Sequence, residues 1–388
     1  MKRKIFMTVL LLSLCLLSLS GCFPSINSDK EVSSTGQTSS ISGDQSIPSH
    51  ITKELDTNLT VDADVNYVAG KTYSVYHAEY KKFDKDLLIQ TLLPSDEQIA
   101  DQKTFLNDIY GEDDTLFISQ KQSKLYLSKD FFYFQKPEYD GYSTFITGAN
   151  DYFLENMSDV YPHKKLPSLD EAAATEKVKT AIDALALPVE TDSLQIYTLD
   201  AESLNEQAAK FMTNEEYKSM DKTQKTKLKH DFDASDDAYL FVYHCQNNGI
   251  PLYFNDNITS SRNGVPLKGA RVHALVNKNG LVMLQAYGIL DVKSVTQENA
   301  SIVSPNQALD AVQKKYRNTI LANDVKITNI SLCYYPCDES SENHSFALSP
   351  VWAISVQSTK QTSDAKGKQE SLQTKTVIVN ATTGQEVQ

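Results

Sequence analysis

Residues 304–337 read SPNQALDAVQKKYRNTILANDVKITNISLCYYPC and carry the clearest fold signal in the chain. Ser304 and Gln307 form a capping box at the start of a helix, and Pro305 occupies the first helical position, where its missing amide breaks no hydrogen bond. Apolar residues then recur at helical spacing: Leu309, Val312 and Tyr316. The strands predicted after this helix lie at residues 325–335, 351–357 and 374–380. The stretch therefore predicts a capped helix followed by β-strands, which indicates an α+β fold.

A second stretch shows the same order of landmarks. Ser168 and Glu171 form another capping box, the helix that follows runs to about Leu187, and a strand is predicted at residues 194–199. Two motifs recur later in both stretches. They are an x-Pro-apolar-aromatic motif at residues 250–253 and 349–352, and a Val-Asn pair followed by a glycine turn at residues 276–280 and 379–384.

The first stretch is longer than the second between these landmarks. The excess matches residues 201–236, which are helical in pattern and contain a further capping box at residues 213–216. Chance recurrence of short motifs is the alternative to duplication, but three ordered landmarks with one localised insertion favour duplication. We therefore predict two related modules, one at residues 161–300 with a helical insertion near 201–236 and one at residues 301–388.

The chain closes with VNATTGQ at residues 379–385. Together with the capped helix and the strands that begin Pro-x-aromatic, this motif resembles the PepSY-type module, in which a helix packs on a small antiparallel sheet. The tandem order is similar to that of YycH/YycI-type regulators, which restrain a membrane histidine kinase, although those proteins use a transmembrane anchor. The layout also resembles an uncharacterised group of bacterial lipoproteins whose folded part begins VDADV, here residues 61–65. These resemblances imply a regulatory or binding role and bring no catalytic residues.

Residues 58–160 are predicted to form an N-terminal α+β domain. Apolar and polar residues alternate from Leu59 to Val65, which is the strand period, and leucines recur at helical spacing within residues 84–93. Further along, Asp140-Gly141 predicts a hairpin between strands at residues 131–139 and 142–147, because Asp-Gly tolerates the positive φ angles of a type I′ turn.

Aromatic residues concentrate around that predicted hairpin. The cluster comprises Phe131, Phe132, Tyr133, Phe134, Tyr139, Tyr142, Phe145, Tyr152 and Phe153. Strand alternation would place Phe132 and Phe134 on one face and Phe131 and Tyr133 on the other. One face should belong to the core. The other is either a contact surface for a protein or glycan, or is covered by a helix near residues 150–157, and the pattern favours coverage.

The first 22 residues predict a bacterial lipoprotein signal. Basic residues 2–4 precede an apolar run at residues 5–19, and Leu-Ser-Gly then leads into Cys22. This resembles a signal in which Cys22 becomes the first residue and is acylated. The alternative is an uncleaved transmembrane helix, but the apolar run is shorter than the ~20 apolar residues that such a helix needs. We expect a signal peptide at residues 1–21, a disordered Ser/Thr-rich tether at residues 22–57, and lipid anchoring at the outer face of the bacterial cytoplasmic membrane.

Charge and cysteine usage narrow the classes of partner. The formal net charge is −13 at pH 7, which argues against nucleic acid as a binding partner.

Besides Cys15 in the signal and Cys22, three cysteines remain. Cys333 and Cys337 could form a disulfide across a bend between them, Cys245 could pair with either, or all three are free thiols.

No motif points to catalysis or to a cofactor. The sequence lacks His-Glu-x-x-His, Cys-x-x-Cys, Gly-x-Ser-x-Gly and a phosphate loop. His244 and His273 could converge with the three cysteines on a metal ion, but the spacings fit no known ligand pattern. Asp62 and Asp64 should share the solvated face of a strand rather than form a catalytic pair.

We therefore expect a non-catalytic, membrane-anchored lipoprotein that binds or regulates another cell-envelope protein through its surfaces. Its other partner would be the lipid bilayer, through acylated Cys22, with no cofactor and no nucleic acid. The alternative is a substrate-binding lipoprotein that captures a peptide, glycan or small solute. Such proteins usually have two lobes of α/β repeats, which the hairpin-rich pattern of this chain disfavours.

Overall fold

The structure is a computed structural model. It describes residues 47–93, 96–107, 112–147, 157–229, 231–253, 259–260, 266–267, 270–317, 323–340, 345–364 and 367–387. The strands are β1 (His50–Asp56), β2 (Leu59–Asn66), β3 (Val75–Tyr80), β4 (Ile99–Asn107), β5 (Glu112–Ser119), β6 (Lys124–Leu127), β7 (Phe131–Gln135), β8 (Gln195–Leu199), β9 (Ala238–His244), β10 (Gln246–Asn247), β11 (Ile250–Pro251), β12 (Thr259–Ser260), β13 (Pro266–Leu267), β14 (Arg271–Asn277), β15 (Gly280–Tyr287), β16 (Leu290–Gln297), β17 (Val325–Ser340), β18 (Ser345–Asp364) and β19 (Gly367–Asn380).

The helices lie between and beside these strands. They are α1 (Lys85–Leu92), α2 (Asp140–Ile146), α3 (Met157–Val160), α4 (Glu171–Ala184), α5 (Ala201–Phe211), α6 (Glu215–Ser219), α7 (Lys222–Lys227) and α8 (Pro305–Arg317), with single 3₁₀ turns at Pro137–Tyr139 and Thr191–Ser193. The predicted α+β class is confirmed.

Two sheets hold most of the strands. The first runs β1-β2-β17-β18-β3-β16, with β19 also paired to β18, and the second runs β4-β5-β6-β7-β15-β14-β9-β8. The remaining pairs, β10–β11 and β12–β13, are short ribbons. Within the described ranges, every pair of strands is antiparallel except β2 and β17, which are parallel.

The parallel pair joins the start of the described chain to its end. The register runs from Leu59 opposite Val325 to Asn66 opposite Ser331. Strand β2 alternates buried and exposed residues along its whole length, and its buried side chains belong to the same core cluster as the buried side chains of α8. The alternation predicted for residues 59–65 is confirmed, and the exposed positions include Asp62 and Asp64.

One cluster of buried side chains runs through both sheets. It includes Leu59 and Ile327 from the first sheet, Phe132 and Phe134 from the second, and Val178 from α4, which lies on the second sheet. A separate cluster covers the opposite face of the second sheet. There, α2 and α5 pack on β9, β14 and β15, through residues that include Tyr142, Phe145, Leu204, Leu240, Leu275 and Met283.

The single tryptophan of the chain ties the segment before α8 to the first sheet. Trp352 has no exposed surface, and its indole Nε1 donates to the carbonyl oxygen of Val303 at 3.0 Å. The amide of Val303 in turn donates to the carbonyl oxygen of Ala381 at 2.7 Å. The residues leading into α8 are therefore held by β18 and by the chain end.

Helix ends follow local chemistry, with small shifts from the prediction. The capping box at Ser304 and Gln307 is present, because the Gln307 amide donates to Ser304 Oγ at 3.2 Å and the Ser304 amide to Gln307 Oε1 at 2.9 Å. In the earlier stretch Asp170, not Ser168, caps α4 by accepting from the Ala173 amide at 2.8 Å.

The hairpin predicted at Asp140-Gly141 is wrong. Residues 131–135 do form a strand, but the chain then makes a 3₁₀ turn and enters α2 at Asp140. Tyr142, Phe145 and Ile146 have the spacing of one helix face, and all three are buried. Burial of this apolar face against α5 outweighs the turn preference of Asp-Gly.

The two predicted modules share a connectivity. Helix α4 is followed by β8, β9 and β14, which are neighbours in the second sheet, and α8 is followed by β17, β18 and β19, which are neighbours in the first. Helices α5, α6 and α7 lie between β8 and β9, where the insertion was predicted. The Pro motif does not correspond in the same way, because Pro251 follows β9 whereas Pro350 lies inside β18.

Both meanders end in the same turn chemistry. The Asn277 side-chain oxygen accepts from the Asn279 amide at 2.8 Å, and the Asn380 side-chain oxygen accepts from the Thr382 amide at 2.9 Å. Each turn then reaches a glycine with positive φ, at 96° and 70°. The Val-Asn-to-Gly landmark in the sequence therefore marks a real strand end in both places.

The boundaries predicted at residues 160 and 300 do not separate the sheets. Strands β1, β2 and β3 belong to the first sheet, and β4 to β7 extend the second. Residues 58–160 thus contribute to both sheets. The tether predicted at residues 22–57 also overlaps β1, whose Ile51 is buried, so disorder is wrong for residues 50–56. Residues 22–46 lie outside the described ranges.

Replacing Leu59 by Ala should destabilise the whole fold. Leu59 has no exposed surface, and a buried Leu→Ala change costs about 2–5 kcal/mol. Urea unfolding followed by the fluorescence of Trp352, which lies in the same sheet, measures the change. The neighbouring exposed Thr60→Ala is the matched control and should cost about 1 kcal/mol or less. Equal effects of the two substitutions would show that β2 is not docked on β17.

Candidate functional site

An open groove lies between α1 and α4. Asp84 caps α1 by accepting from the amides of Asp86 and Leu87, at 2.8 and 3.0 Å. The helix buries Leu88 and Leu92, which fixes its rotation and leaves Leu87 on the outside, 39% exposed. Leu87 also lines the groove, so its exposed part is available to a molecule that occupies the groove.

Helix α4 supplies the other wall. Its buried stripe includes Ala174, Val178 and Ala181, so Lys177 and Thr180 lie toward the outside. The groove encloses about 610 Å³, a size typical of ligand and peptide sites. Its lining residues are Leu87, Gln90, Thr91, Leu92, Leu93, Lys136, Lys177, Thr180, Ala181, Ala184, Asn279, Gly280 and Leu281.

Two lysines meet at one end of this groove. Lys136 Nζ donates to the carbonyl oxygen of Asn279 at 3.3 Å. Lys177 Nζ lies 2.9 Å from the position that a Cβ on Gly280 would occupy. The two ammonium groups therefore converge on the turn between β14 and β15, where the positive φ of Gly280 favours glycine.

Neither lysine is neutralised by the described part of the chain. No carboxylate there lies within 4 Å of either ammonium group, and the groove lining contains two lysines and no acid. The pKa of Asp96 is lowered mainly by its hydrogen bond from Lys121, and the charge of Lys136 makes a smaller contribution in the same direction. In a chain of formal charge −13, this end of the groove is a local positive site.

Sequence reasoning did not find this groove. Lys136, Lys177 and Leu87 are far apart in the chain and belong to no motif. The only usable signal was the predicted turn at residues 277–280, because both lysines reach that turn. Their convergence depends on how α1, α4 and β15 pack, which periodicity does not reveal.

A third lysine holds the C-terminal end of α4 in place. Lys81 Nζ donates to the carbonyl oxygens of Leu185 and Ala186, at 3.1 and 2.6 Å. Burial lowers the pKa of Lys81, yet a cation at this position complements the negative end of the helix. Lys81 follows β3 directly, so it links the first sheet to the α4 wall of the groove.

Replacing Lys81 by Met should lower the free energy of unfolding by about 1–2 kcal/mol, because two carbonyl groups lose a charged donor while the alkyl stem is kept. Exposed Lys82→Met is the control and should change stability by less than about 0.5 kcal/mol. Urea unfolding monitored by circular dichroism checks both. Equal stabilities of the two variants would contradict a capping role for Lys81.

An aromatic ladder crosses the second sheet on the face of α2 and α5. The rings of Tyr126 and Tyr133 are parallel within 2°, with centroids 5.2 Å apart. Phe131 stacks on Tyr126 at 5.4 Å and on Tyr287 at 5.3 Å. The guanidinium of Arg271 lies 5.4 Å from the Tyr287 centroid. Each inner ring uses its faces on its neighbours, so the ladder chiefly stabilises the sheet.

The prediction of alternating faces in this region is confirmed. Phe132 and Phe134 have no exposed surface, whereas Phe131 and Tyr133 are half-buried in the ladder. Most of the helix predicted near residues 150–157 lies outside the described ranges, and α3 begins at Met157. Tyr152 and Phe153 also lie outside them.

The structure does not form the disulfide considered for Cys333 and Cys337. Both are free, as is Cys245. Residues 334–336 continue β17 instead of bending, so Cys333 and Cys337 lie four residues apart on an extended strand. At about 3.3 Å per residue their Cα atoms are ~13 Å apart, well beyond the ~7 Å limit for a disulfide.

All three thiols should resist alkylation in the native state. Burial raises the pKa of Cys245 and of Cys333 to about 12, and that of Cys337 to about 11. Since only the thiolate reacts, almost none is present at pH 8, and the reactive fraction grows only as pH rises toward these values. Iodoacetamide labelling followed by peptide mass spectrometry should modify all three residues in urea and none quickly without it. A Cys333–Cys337 disulfide in non-reduced digests would contradict this.

The other candidate residues lie in ordinary surroundings. Asp62 and Asp64 point to the exposed side of β2, where His50 contacts both, at 3.0 and 2.8 Å, and Lys326 Nζ contacts Asp62 at 2.7 Å. Burial lowers the pKa of His273 well below its ordinary value, so this ring is neutral at pH 7. The ranges that the structure describes contain no group of three His, Cys, Asp or Glu residues able to hold a metal ion.

Cys22, the predicted acylation site, lies outside the described residues, and its modification stays a prediction. None of the helices in the described ranges is long and apolar enough to cross a membrane.

Comparison with known proteins adds information on the fold. No protein-family model matches the chain, and no curated protein matches it. Among solved structures, an uncharacterized protein from Eubacterium rectale ATCC 33656 is similar in fold, with a TM-score of 0.59 and 18% sequence identity. The match covers 88% of this chain and 94% of that protein. At this identity the likeness shows a shared fold and nothing about activity.

Proposed function

We propose that this chain is a non-catalytic lipoprotein, acylated at Cys22, that binds another cell-envelope protein at the outer face of the cytoplasmic membrane. The observation that carries the binding role is the groove between α1 and α4. It combines exposed apolar surface at Leu87 with two lysines that no described carboxylate neutralises. Covering such a surface with a partner protein lowers the free energy of the system.

The proposal includes two PepSY-like modules. Its support is the shared order of a capped helix followed by three neighbouring antiparallel strands, each meander ending in an Asn-to-Gly turn. The helical insertion between β8 and β9 accounts for the difference in length. The four strands β4 to β7 and the three strands β1 to β3 would then be additions that extend the two module sheets.

Binding of a partner protein is better supported than capture of a glycan. Sugars stack on open aromatic ring faces, and in the ladder the inner rings of Tyr126 and Phe131 are stacked between their neighbours, while Arg271 lies over the ring of Tyr287. The groove, in contrast, is lined by aliphatic and small side chains together with polar ones, which suits a peptide chain.

The anchoring part of the proposal predicts the fate of a Cys22→Ala variant. Wild-type protein should remain with membranes after cell fractionation and should incorporate a labelled fatty acid, whereas Cys22→Ala should do neither, because acyl chains supply the membrane affinity. Membrane retention of the variant without label would contradict lipid anchoring.

The binding part is tested in intact cells. A photo-crosslinking amino acid at Thr180, which lines the groove, should give a discrete adduct with one exported or membrane protein. The same residue at exposed Thr223 on α7 is the matched control and should not give that adduct. No adduct specific to Thr180, or the same adduct from both positions, would contradict a partner in the groove.

A further inference from the structure

We infer that the groove between α1 and α4 accepts an acidic peptide segment of the partner, one that carries an apolar side chain a few residues from an aspartate or glutamate. This inference rests on the proposed function and names the chemistry of the partner. Three features of the groove support it: the unneutralised lysines, the apolar walls and the openness of the groove to solvent.

The charge of the site selects a carboxylate. Lys136 and Lys177 both reach the turn at Asn279 and Gly280, and the lining contains no acid. A carboxylate placed between the two ammonium groups would receive charge-assisted hydrogen bonds. Because the chain is acidic overall, the long-range field repels such a segment, but screening limits that field to about 8 Å at physiological salt. Attraction is therefore local to this end of the groove.

The walls select an apolar side chain next to that carboxylate. The lining includes Leu87 from α1 and Leu93, which directly follows α1, together with Ala181 and Ala184 from α4 and Leu281 of β15. Alanines on one wall leave room for an inserted side chain, and leucines on the other provide contact area. Covering the exposed part of Leu87 would add to the free energy of binding.

The openness of the groove favours a peptide over a fatty acid or another small carboxylate. A small apolar ligand is bound well when most of its surface is buried, and this groove is more open than enclosed. Gln90, Thr91 and Thr180 are among its lining residues, and their side chains can hydrogen-bond a peptide backbone. A chain lying across the groove can thus satisfy its own polar groups while inserting one apolar side chain.

A displayed library of random peptides tests the inference. The full-length chain in detergent is the bait, and the double variant Lys136→Glu/Lys177→Glu is the comparison. The control, Lys82→Glu/Lys165→Glu, makes the same change in net charge at exposed lysines that do not line the groove. Circular dichroism and urea unfolding establish that all three proteins are folded.

Wild type and control should enrich peptides in which Asp or Glu lies a few residues from Leu, Ile, Phe or Met, and the groove variant should not. A synthetic copy of the best peptide should lose at least about tenfold in affinity for the groove variant, since like charges replace an ion pair. It should lose affinity likewise when its carboxylate is changed to an amide, and its binding should weaken with salt. Dodecanoate should not displace it.

Peptides without an acid, or peptides that bind the groove variant equally well, would overturn the inference, and so would a failure to enrich any motif. Displacement by dodecanoate would instead identify the groove as a fatty-acid site and also overturn it. The outcome is separable from that of the proposed function. A Thr180 adduct that persists in Lys136→Glu/Lys177→Glu cells leaves the partner in place and removes only the acidic-peptide assignment.

Discussion

The parallel pairing of β2 with β17 is the constraint on which the rest of this structure depends. It joins residues 59–66 to residues 325–331, so the first sheet cannot form until nearly the whole chain is present. The pairing is stabilised by burial of one face of β2 in the core cluster that also contains the apolar face of α8. In chain order α1 lies between β3 of this sheet and β4 of the other, and it packs against α4. The α1 wall of the groove is a consequence of this closure.

The groove has the same origin on its second wall. Burial of the apolar stripe of helix α4 fixes the rotation of that helix about its axis. Lys81, which immediately follows β3, binds the carbonyl groups at the C-terminal end of α4. The two lysines of the site come from different parts of the chain: Lys136 directly follows β7, and Lys177 belongs to α4. Both side chains reach the β14–β15 turn. The groove, with its local positive site, is thus assembled from four separate parts of the chain: α1, Lys136, α4 and the β14–β15 turn.

Features encoded locally were predictable from sequence, and features that depend on long-range packing were not. The capping box at Ser304, the alternation in β2 and the turn at residues 277–280 follow from neighbouring residues, and the structure confirms them. Alternation shows which face of a strand is buried but does not identify the neighbouring strand, so β1 to β3 were assigned to a separate domain.

At Asp140-Gly141 a turn signal competed with helical spacing at Tyr142, Phe145 and Ile146, and packing on α5 decided the outcome. The residues before Cys337 include Pro336, which suggested a bend. That proline lies beyond the part of β17 that pairs with β2, where a missing amide is tolerated.

Native-state hydrogen exchange tests the central claim, that residues 59–66 close the fold onto β17, most directly. The account predicts that the slowest amides of β2 and β17 exchange only by global unfolding, with the same free energy as urea unfolding monitored at Trp352. Exchange in β2 that is faster than in β17 by several orders of magnitude would show that the N-terminal strands open independently. The closure, and the groove wall that depends on it, would then be contradicted.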